Sequence, residues 1–206
     1  MFDKAVLKLT KPAVDRMADY AICHKVSADQ MTLAALGLGL FSSLLIASGS
    51  THLALLPLLL GRVADGVDGA IARASDEQSD RGAFLDISLD FVFYSSVPLG
   101  FALYDRVNFA LPAAVLLSCF VTTGTSFLAY ASVAAKRGET SADYPTKGIY
   151  YIGGITEGSE TILFFVLCCL WPDWFATLAY IYATLCAVTT FTRVKAGWER
   201  FGRKAT

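Results

Sequence analysis

The sequence predicts an all-α protein that crosses a membrane about six times, with an amphipathic interfacial helix ahead of the first span. Composition is the first observation behind this class: 55% of residues are hydrophobic, 17% are charged, and the mean hydropathy is +0.52. Apolar stretches close to the ~20 residues that cross a bilayer are the second. A sorting of basic residues between alternate loops is the third. The chain of 206 residues is predicted to be a single domain, 1–206.

Residues 1–26 are predicted to form a cytoplasmic segment beside the membrane that contains the amphipathic helix. Basic and apolar residues are interleaved here, a composition suited to the membrane interface. The segment lacks a continuous apolar core, so a cleavable signal peptide is not expected. Pro12 should break or kink the helix, because proline has no amide proton for the helical hydrogen bond.

Six spans follow in order, and turn residues mark several of their ends. Gly49-Ser50 closes the first span, Asp105-Arg106 separates the third from the fourth, and the aromatic turn Trp171–Trp174 lies between the last two. Tryptophan at such a turn is typical of a membrane interface. The predicted spans are 28–48, 52–73, 82–104, 107–134, 149–171 and 175–195.

Basic residues indicate which side of the membrane each loop faces. The loops on one side hold only Arg106, whereas the opposite loops and both termini hold nearly all the others. Cytoplasmic loops are enriched in Lys and Arg, so both termini are predicted to be cytoplasmic and the number of crossings even. The residues on the predicted cytoplasmic side are Lys4, Lys8, Lys11, Arg16, Lys25, Arg73, Arg81, Lys136, Arg137, Lys147, Lys195, Arg200, Arg203 and Lys204.

The second span is unusual because charged residues lie inside it. Its apolar run, Leu53 to Leu60, covers only about half of the bilayer before Arg62, Asp65 and Asp68 follow. Charged side chains that face lipid cost several kcal/mol each. This part of the helix is therefore expected to line a wet cavity that opens to the cytoplasm.

Four aspartates at helical spacing predict a metal site between the second and third spans. Asp65 and Asp68 are three residues apart and Asp86 and Asp90 four apart, so each pair shares one face of its helix. Facing carboxylates repel one another unless cations lie between them. No His or Cys lies in residues 65–90. Oxygen-only ligands favour Mg²⁺ or Mn²⁺ over Zn²⁺, so a site for a hard divalent ion is predicted.

The same segment resembles the signature of a known enzyme family. The pattern D-x2-D-G-x2-A-R-x8-G-x3-D-x3-D is filled without a gap by residues 65–90, DGVDGAIARASDEQSDRGAFLDISLD. It is similar to the motif of the CDP-alcohol phosphatidyltransferases, integral membrane enzymes of phospholipid synthesis. Eight specified residues at fixed spacing make this match specific. They are Asp65, Asp68, Gly69, Ala72, Arg73, Gly82, Asp86 and Asp90.

The resemblance implies a metal-dependent transferase in a membrane of the bacterial inner membrane type, with its active site facing the cytoplasm. Such an enzyme moves a phosphatidyl group from CDP-diacylglycerol to an alcohol and releases CMP. The family's first three aspartates are metal ligands, which implies this role for Asp65, Asp68 and Asp86, with two ions expected. The fourth aspartate, Asp90, is implied to be the general base and also a metal ligand.

Six further residues are expected to bind the donor nucleotide. Gly69 lacks a Cβ, so a nucleotide can approach closely, and Arg73 either binds phosphate oxygens or reaches for the membrane interface. Ser79 lies where the family contacts the nucleotide. Before the first span, SADQMT resembles the family's S/T-P-N/D-x-x-T, with Ala28 in place of the usual proline. The donor contacts implied there are Asp29, Gln30 and Thr32.

The fifth predicted span carries acidic residues that the motif does not explain. Glu157 and Glu160 are expected on one helix face, and acids inside a membrane need partners. Either an internal ion pair, with Arg62 or Arg193, or a place in the acceptor site accounts for them. Lys147 and Arg193, which lie near span ends, are the candidates for binding an acceptor phosphate.

Glycerol 3-phosphate is the first acceptor expected, and an inositol derivative, serine or another polyol is the alternative. A membrane transporter or cation pathway is the competing function, since intramembrane acids also mark ion routes; it would favour internal repeats, and none is visible. The composition excludes a soluble prenyl-diphosphate enzyme. Scattered basic residues give no support for nucleic-acid binding. The resemblance also allows a homodimer formed through membrane helices.

Overall fold

The computed structural model of the protein describes residues 3–138 and 154–202, with side chains from residue 9 onward. Every regular element in these ranges is helical, which confirms the all-α prediction. A short 3-10 helix, Pro172–Trp174, stands at the predicted aromatic turn. The α-helices are α1 (Asp3–Cys23), α2 (Ala28–Ala47), α3 (Thr51–Ala74), α4 (Asp80–Tyr104), α5 (Arg106–Lys136), α6 (Gly158–Leu170) and α7 (Phe175–Phe201).

Four of the described helices, α2, α4, α5 and α7, are long and apolar enough to cross a membrane. These four coincide with predicted spans. α3 has the necessary length, 24 residues, and differs in the charged residues of its second half. The polytopic membrane class is therefore confirmed, with α3 as the helix that needs a polar environment on one face.

α6 is shorter than the span predicted over 149–171. It has 13 residues, about 20 Å of helix, which is less than the ~30 Å hydrocarbon core. Residues 149–153 lie outside the described chain, and 154–157 are not helical. The prediction that Glu157 lies on a helix face is wrong, because the residue precedes the first turn with extended backbone, φ −101° and ψ −174°.

α1 is present as predicted and continues through Pro12, so of the predicted break or kink the break is wrong. Pro12 is exposed, and one missing backbone hydrogen bond leaves the turns on either side in place. The buried face of α1 packs on the second half of α3, the half that carries the motif. The residues of this contact are Ala18, Ala21, Val67, Ala70 and Ile71.

α2, α3 and α4 form one packed group with small or hydroxyl-bearing residues at their contacts. The Ser42 hydroxyl donates to the carbonyl of Ala54 on α3 at 3.0 Å. The hydroxyls of Ser43 on α2 and Ser96 on α4 are 2.7 Å apart. Gly100 of α4 faces the α2 backbone so closely that a Cβ there would lie 2.7 Å from the Ser43 carbonyl oxygen. Small residues at such positions let helix backbones approach one another within a membrane.

α5 and α7 run side by side in the same direction, with contacts at both of their ends. The rings of Phe109 and Phe175 are 5.1 Å apart near the beginnings of the two helices. Arg137 Nη2 donates to the Phe201 carbonyl at 2.6 Å near their ends, which accounts for this arginine as a helix-capping residue. The core between the helices is rich in aromatic and thiol side chains. Its aromatic and thiol members include Phe93, Phe101, Phe164, Phe165, Phe175, Cys168, Cys169 and Cys186.

The beginnings of α2, α4 and α6 and the end of α3 lie at one end of the bundle. α2 and α4 are parallel, as the Ser43–Ser96 contact and the Gly100 contact with α2 show, and α3 returns antiparallel to α2. The ring of Phe165 on α6 is 5.9 Å from that of Phe93 on α4. The rings of Phe101 and Phe175 are 4.3 Å apart, so α6 ends beside the end of α4 and runs parallel to it. Since α6 begins two turns before Phe165, its first residues stand level with Asp86. The motif therefore shares this end of the fold with the start of α6.

Candidate active site

Three of the four motif aspartates converge at this end of the bundle. Asp65 and Asp68 come from the second half of α3, and Asp86 comes from the early turns of α4. One carboxylate oxygen of each residue lies within 4.8 Å of the other two. Asp68 is buried, whereas Asp65 and Asp86 are partly exposed. The two helices thus bring together acids that are 21 residues apart in the chain.

This trio has the chemistry and the spacing of a site for a hard divalent cation. Mg²⁺ binds oxygen at about 2.0–2.1 Å, so oxygens on opposite sides of an ion are about 4.2 Å apart. The three carboxylates therefore stand near coordination distance without a rearrangement of the helices. Their mutual repulsion is a further reason for a cation to bind between them.

Asp90 lies outside this trio and pairs with Arg62. Arg62 Nη1 is 2.8 Å from Asp90 Oδ1 and 3.4 Å from Asp65 Oδ1. Of the partners considered for the acids of the fifth span, Arg62 is thus engaged by the motif aspartates instead. Its position three residues before Asp65, on the same side of α3, was the signal in the sequence that pointed to a partner within the motif.

Thr32 contacts one of the metal-ligand candidates directly. Its hydroxyl lies 2.6 Å from Asp68 Oδ2, the shorter of its two contacts with acceptors. Both residues are buried, so this hydrogen bond fixes the carboxylate in one orientation. Sequence reasoning assigned Thr32 to the donor nucleotide and missed this contact, because α2 and α3 meet here across 36 positions of the chain.

The other donor candidates in the first turn of α2, Asp29 and Gln30, each have a partner within the protein. Asp29 pairs with Arg81 at the start of α4. Gln30 forms a capping box with Ser27: its amide oxygen accepts from the Ser27 backbone at 3.0 Å, and its own backbone nitrogen donates to the Ser27 hydroxyl at 3.2 Å. These contacts satisfy the first turn of α2 and give Gln30 a structural role.

Ser79 caps the helix that carries Asp86 and Asp90. Its hydroxyl accepts from the Gly82 backbone nitrogen at 3.1 Å. Gly82 also faces the Asp29 carboxylate, since a Cβ added to it would lie 4.0 Å from Oδ1 of that residue. Ser79, Gly82 and Asp29 therefore adjoin one another at the start of α4, beside the acidic trio.

Gly69 and Arg73 form one surface on the last turns of α3. A Cβ on Gly69 would lie 3.2 Å from Arg73 Nη1, so the guanidinium lies over the bare backbone of the glycine. Arg73 is exposed, and its position one turn beyond Asp68 leaves it available for an anionic ligand next to the metal-ligand candidates.

Three of the candidate acceptor residues lie where α5, α6 and α7 meet, with Glu157 and Arg193 buried and Glu160 half-buried. Glu157 is buried and accepts from the Gly154 backbone nitrogen at 2.9 Å, and Glu160 accepts from the Ser159 hydroxyl at 3.0 Å. Arg193, 6% exposed, donates to the Thr123 carbonyl of α5 at 3.3 Å. Lys147 lies outside the described residues.

The sequence matches the CDP-alcohol phosphatidyltransferase family over residues 25–192. This match includes the whole motif and both helices that carry the acidic trio. The chain belongs to the CDP-alcohol phosphatidyltransferase family. It is a membrane-bound transferase of phospholipid synthesis, which decides against the transporter alternative, and its aspartate cluster agrees with the use of divalent metals in this family.

Two curated relatives resemble the chain over most of its length. The inner membrane protein YnjF of Escherichia coli strain K12 is 44% identical over 198 residues, which cover 96% of each chain. An uncharacterized protein of Aquifex aeolicus is 30% identical over 153 residues, 74% of this chain and 71% of that protein.

Two solved structures of the phosphatidylinositol phosphate synthase of Mycobacterium tuberculosis share the fold. The structure with CDP-DAG bound has a TM-score of 0.66 at 17% identity and covers 90% of this chain and 93% of that one. The structure in complex with manganese and citrate has a TM-score of 0.71 at 18% identity and covers 90% and 88%.

Proposed function

We propose that this chain transfers the phosphatidyl group of CDP-diacylglycerol to a small alcohol at the cytoplasmic face of the membrane, with release of CMP. The observation that carries the proposal is the arrangement of the four motif aspartates. Three carboxylates converge, and Asp90 lies beside them in an ion pair with Arg62. Transfer from a diphosphate needs neutralisation of phosphate charge and a group that takes the proton of the nucleophile. The three carboxylates would hold the cations that neutralise the phosphate charge, and Asp90 would take the proton.

Asp65, Asp68 and Asp86 are the residues assigned to Mg²⁺ or Mn²⁺, and Asp90, which the family resemblance implies to be both base and ligand, lies beside them. When bound, two such ions would neutralise the diphosphate and stabilise the leaving CMP. Thr32 holds the Asp68 carboxylate in place from α2. The structural neighbour from Mycobacterium tuberculosis is described in complex with manganese. The three-oxygen geometry of this chain fits the same class of ion.

Asp90 is assigned the proton-transfer step. Its Oδ1 is engaged by Arg62, so Oδ2 is the oxygen assigned to the proton of the acceptor hydroxyl. As that proton moves to Asp90, the acceptor oxygen bonds to the lipid-side phosphorus. The bond between this phosphorus and the bridging oxygen breaks, and CMP leaves with the electron pair of that bond.

The donor nucleotide is assigned to the surface between the start of α2 and the last turns of α3. Gly69 and Arg73 offer an open backbone and an exposed guanidinium beside the trio. Asp29 and Ser79 line the start of α4 nearby. A neighbour of the same fold is described with CDP-DAG bound, which supports this choice of donor.

The orientation is proposed from the sorting of basic residues. The end of the bundle that carries the motif also carries the exposed Arg73 and Arg81, and α5 and α7 both end in basic residues, Lys136 and Arg200. Loops rich in such residues stay in the cytoplasm. Both termini and the active site are therefore assigned to the cytoplasmic side, where water-soluble acceptors are available.

Glycerol 3-phosphate is the first acceptor proposed, and a phosphorylated inositol is the second. The second is favoured by the inositol chemistry in the name of the structural neighbour, phosphatidylinositol phosphate synthase. Arg193 of α7 is the guanidinium assigned to an acceptor phosphate. It contacts the carbonyl of Thr123 on α5, and the next residue, Gly124, packs against the Phe91 ring of α4. These contacts place Arg193 at the same level of the bundle as the motif.

CMP release from CDP-diacylglycerol by the purified protein tests the proposal. The acceptors compared are glycerol 3-phosphate, inositol 1-phosphate, inositol and serine, each with Mg²⁺ or Mn²⁺ and with excess EDTA. CMP release that depends on one acceptor and on metal is expected. Acceptor-dependent release that persists in excess EDTA, or no release with any acceptor, would contradict the proposal.

A further inference from the structure

The turn 154–157, which precedes α6, is fastened to α7 by one buried hydroxyl. The Thr189 hydroxyl oxygen accepts from the backbone nitrogens of Ile155 and Thr156 at 3.2 and 3.3 Å, and from the Thr156 hydroxyl at 3.1 Å. Thr189 is fully buried. Backbone N–H groups in a protein interior need acceptors, so this one side chain of α7 decides where the turn lies.

The same turn lies against Arg193, which follows Thr189 by one helical turn on α7. A Cβ on Gly154 would lie 3.1 Å from Arg193 Nη2 and 2.4 Å from Thr189 Cγ2, so the bare Gly154 backbone packs on both side chains. On the side of α5, Arg193 Nη1 donates to the Thr123 carbonyl at 3.3 Å, and the guanidinium carbon is 5.5 Å from the centre of the Phe127 ring. The guanidinium is therefore enclosed between α5 and the turn.

The hydroxyl of Thr189 thus acts on Arg193 through the turn. The Gly154 nitrogen donates to Glu157 Oε1 at 2.9 Å, which closes the turn on itself. Without the Thr189 hydroxyl, two backbone nitrogens of the turn lose their common acceptor, and Gly154 loses its fixed place beside the guanidinium. A guanidinium binds phosphate through parallel hydrogen bonds of fixed geometry, so a change in its direction weakens the contact.

We propose that Thr189 is a positioning residue of the acceptor site, which directs Arg193 at the acceptor phosphate by anchoring the turn 154–157. The inference rests on the proposed function, in which Arg193 binds that phosphate. The candidate metal ligands lie on α3 and α4, away from this anchor. Loss of the Thr189 hydroxyl should therefore weaken the binding of a phosphorylated acceptor and leave the binding of metal and CDP unchanged.

The variant Thr189→Val keeps the shape of the side chain and removes the oxygen that accepts from the turn. With glycerol 3-phosphate or inositol 1-phosphate as acceptor, its KM for the acceptor should rise about tenfold, the effect of one well-placed hydrogen bond, while kcat stays within about twofold of wild type. Mn²⁺ and CDP affinities should not change. Wild-type acceptor KM in Thr189→Val, or an equal loss of Mn²⁺ affinity, overturns the inference.

Two further variants separate the hydroxyl from a general effect on α7. Thr189→Ser retains the hydroxyl and should have an acceptor KM near that of wild type. Thr184→Val makes the same chemical change at an exposed position of α7, where the hydroxyl donates to the Tyr180 carbonyl of its own helix at 2.8 Å. It should leave the acceptor KM unchanged. An acceptor KM raised equally in Thr184→Val and Thr189→Val would contradict a role through the turn.

A size exchange tests the contact between the turn and α7 from the other side, and it serves where Thr189→Val fails to fold. Gly154 does not have a positive φ, so steric contact alone decides whether alanine fits there. Gly154→Ala should raise the acceptor KM, because its Cβ meets the Thr189 methyl group. Thr189→Ser lacks that methyl group, so the double variant should return toward the wild-type KM. Additive effects in the double variant overturn the inference.

Direct binding distinguishes failure of this inference from failure of the proposed function. The affinities of glycerol 3-phosphate, inositol 1-phosphate and inositol are measured by calorimetry in detergent with Mn²⁺ and CDP present. If Arg193→Met weakens the two phosphorylated probes and Thr189→Val does not, the function stands and the inference fails. Wild-type affinity of Arg193→Met for both probes, or no binding of either probe by the wild-type protein, removes Arg193 as the phosphate ligand and the inference with it. Equal losses of inositol and inositol 1-phosphate affinity in Thr189→Val also overturn the inference.

Discussion

The hydroxyl of Thr32 lies 2.6 Å from Oδ2 of Asp68 and joins the beginning of α2 to the middle of the acidic trio. Asp68 is the most buried of the three metal-ligand candidates. A buried carboxylate oxygen without a partner is unfavourable. Through this contact the site extends to a third helix, and α2 supports the ligands that α3 presents.

Thr32→Val should weaken both the fold and the metal site. Valine has the shape of threonine without the hydroxyl, so Asp68 loses a hydrogen bond that, for a charged acceptor, contributes about 1.5–3 kcal/mol. A lower thermal transition in detergent and a weaker Mn²⁺ affinity are expected. Thr32→Ser keeps the hydroxyl and is the matched control. Equal Mn²⁺ affinity in the two variants would show that Thr32 does not orient the ligand.

The base and the ligands should respond differently to amide substitution. Asp90→Asn retains size and an oxygen but cannot accept the proton, so turnover should fall about 10²–10⁴-fold while metal-dependent binding of CDP survives. Asp86→Asn removes charge from the trio, and it should weaken Mn²⁺ and CDP binding together. Thermal shift with CDP and Mn²⁺, measured beside CMP release, separates the two effects. Normal turnover by Asp90→Asn would direct the search for a base to Glu157 and Glu160.

The sequence predicted well those features that depend on the residues of a single helix. Apolar length located α2, α4, α5 and α7, and a spacing of three and four placed the aspartates on shared faces. Sequence reasoning failed where partners come from different helices. The Arg62–Asp90 pair and the Thr32–Asp68 bond span 28 and 36 positions, and helical periodicity carries no information on which faces meet.

The start of α6 shows a different limit of the sequence. An apolar run next to two glutamates reads as one long span, but the backbone nitrogens of Ile155 and Thr156 donate to the Thr189 hydroxyl of α7 at 3.2 and 3.3 Å. Because these backbone nitrogens already have hydrogen-bond partners on α7, α6 does not have to begin earlier to provide them. Such tertiary hydrogen bonds are not encoded in local periodicity.

The loop between α3 and α4 should face the cytoplasm. In a background with the exposed Cys23 changed to Ser, a cysteine at Gln78, which is exposed in that loop, should be protected from a membrane-impermeant maleimide in intact cells. A cysteine at Asp173, in the turn between α6 and α7, should react. Both should react after the membrane is permeabilised. Labelling of Gln78→Cys in intact cells would reverse the proposed orientation.

Two glycines in neighbouring helices should respond in opposite ways to an added methyl group. At Gly100 a Cβ would lie 2.7 Å from the Ser43 carbonyl oxygen, and backbone cannot move aside as a side chain can. Gly100→Ala should therefore separate α2 from α4 and destabilise the protein by about 1–3 kcal/mol, the usual cost of overpacking.

Gly37 of α2 is the matched control, because it is exposed and nothing lies within 4 Å of a Cβ placed there. Alanine restricts the unfolded chain and favours helix, so Gly37→Ala should be neutral or stabilise by up to about 1 kcal/mol. Thermal unfolding in detergent should thus show a lower transition for Gly100→Ala and an unchanged or higher one for Gly37→Ala.

Since α2 and α4 carry Thr32 and the Asp86–Asp90 pair, Gly100→Ala should also weaken Mn²⁺ binding. A stable Gly100→Ala protein with wild-type Mn²⁺ affinity would show that the close α2–α4 contact does not support the site.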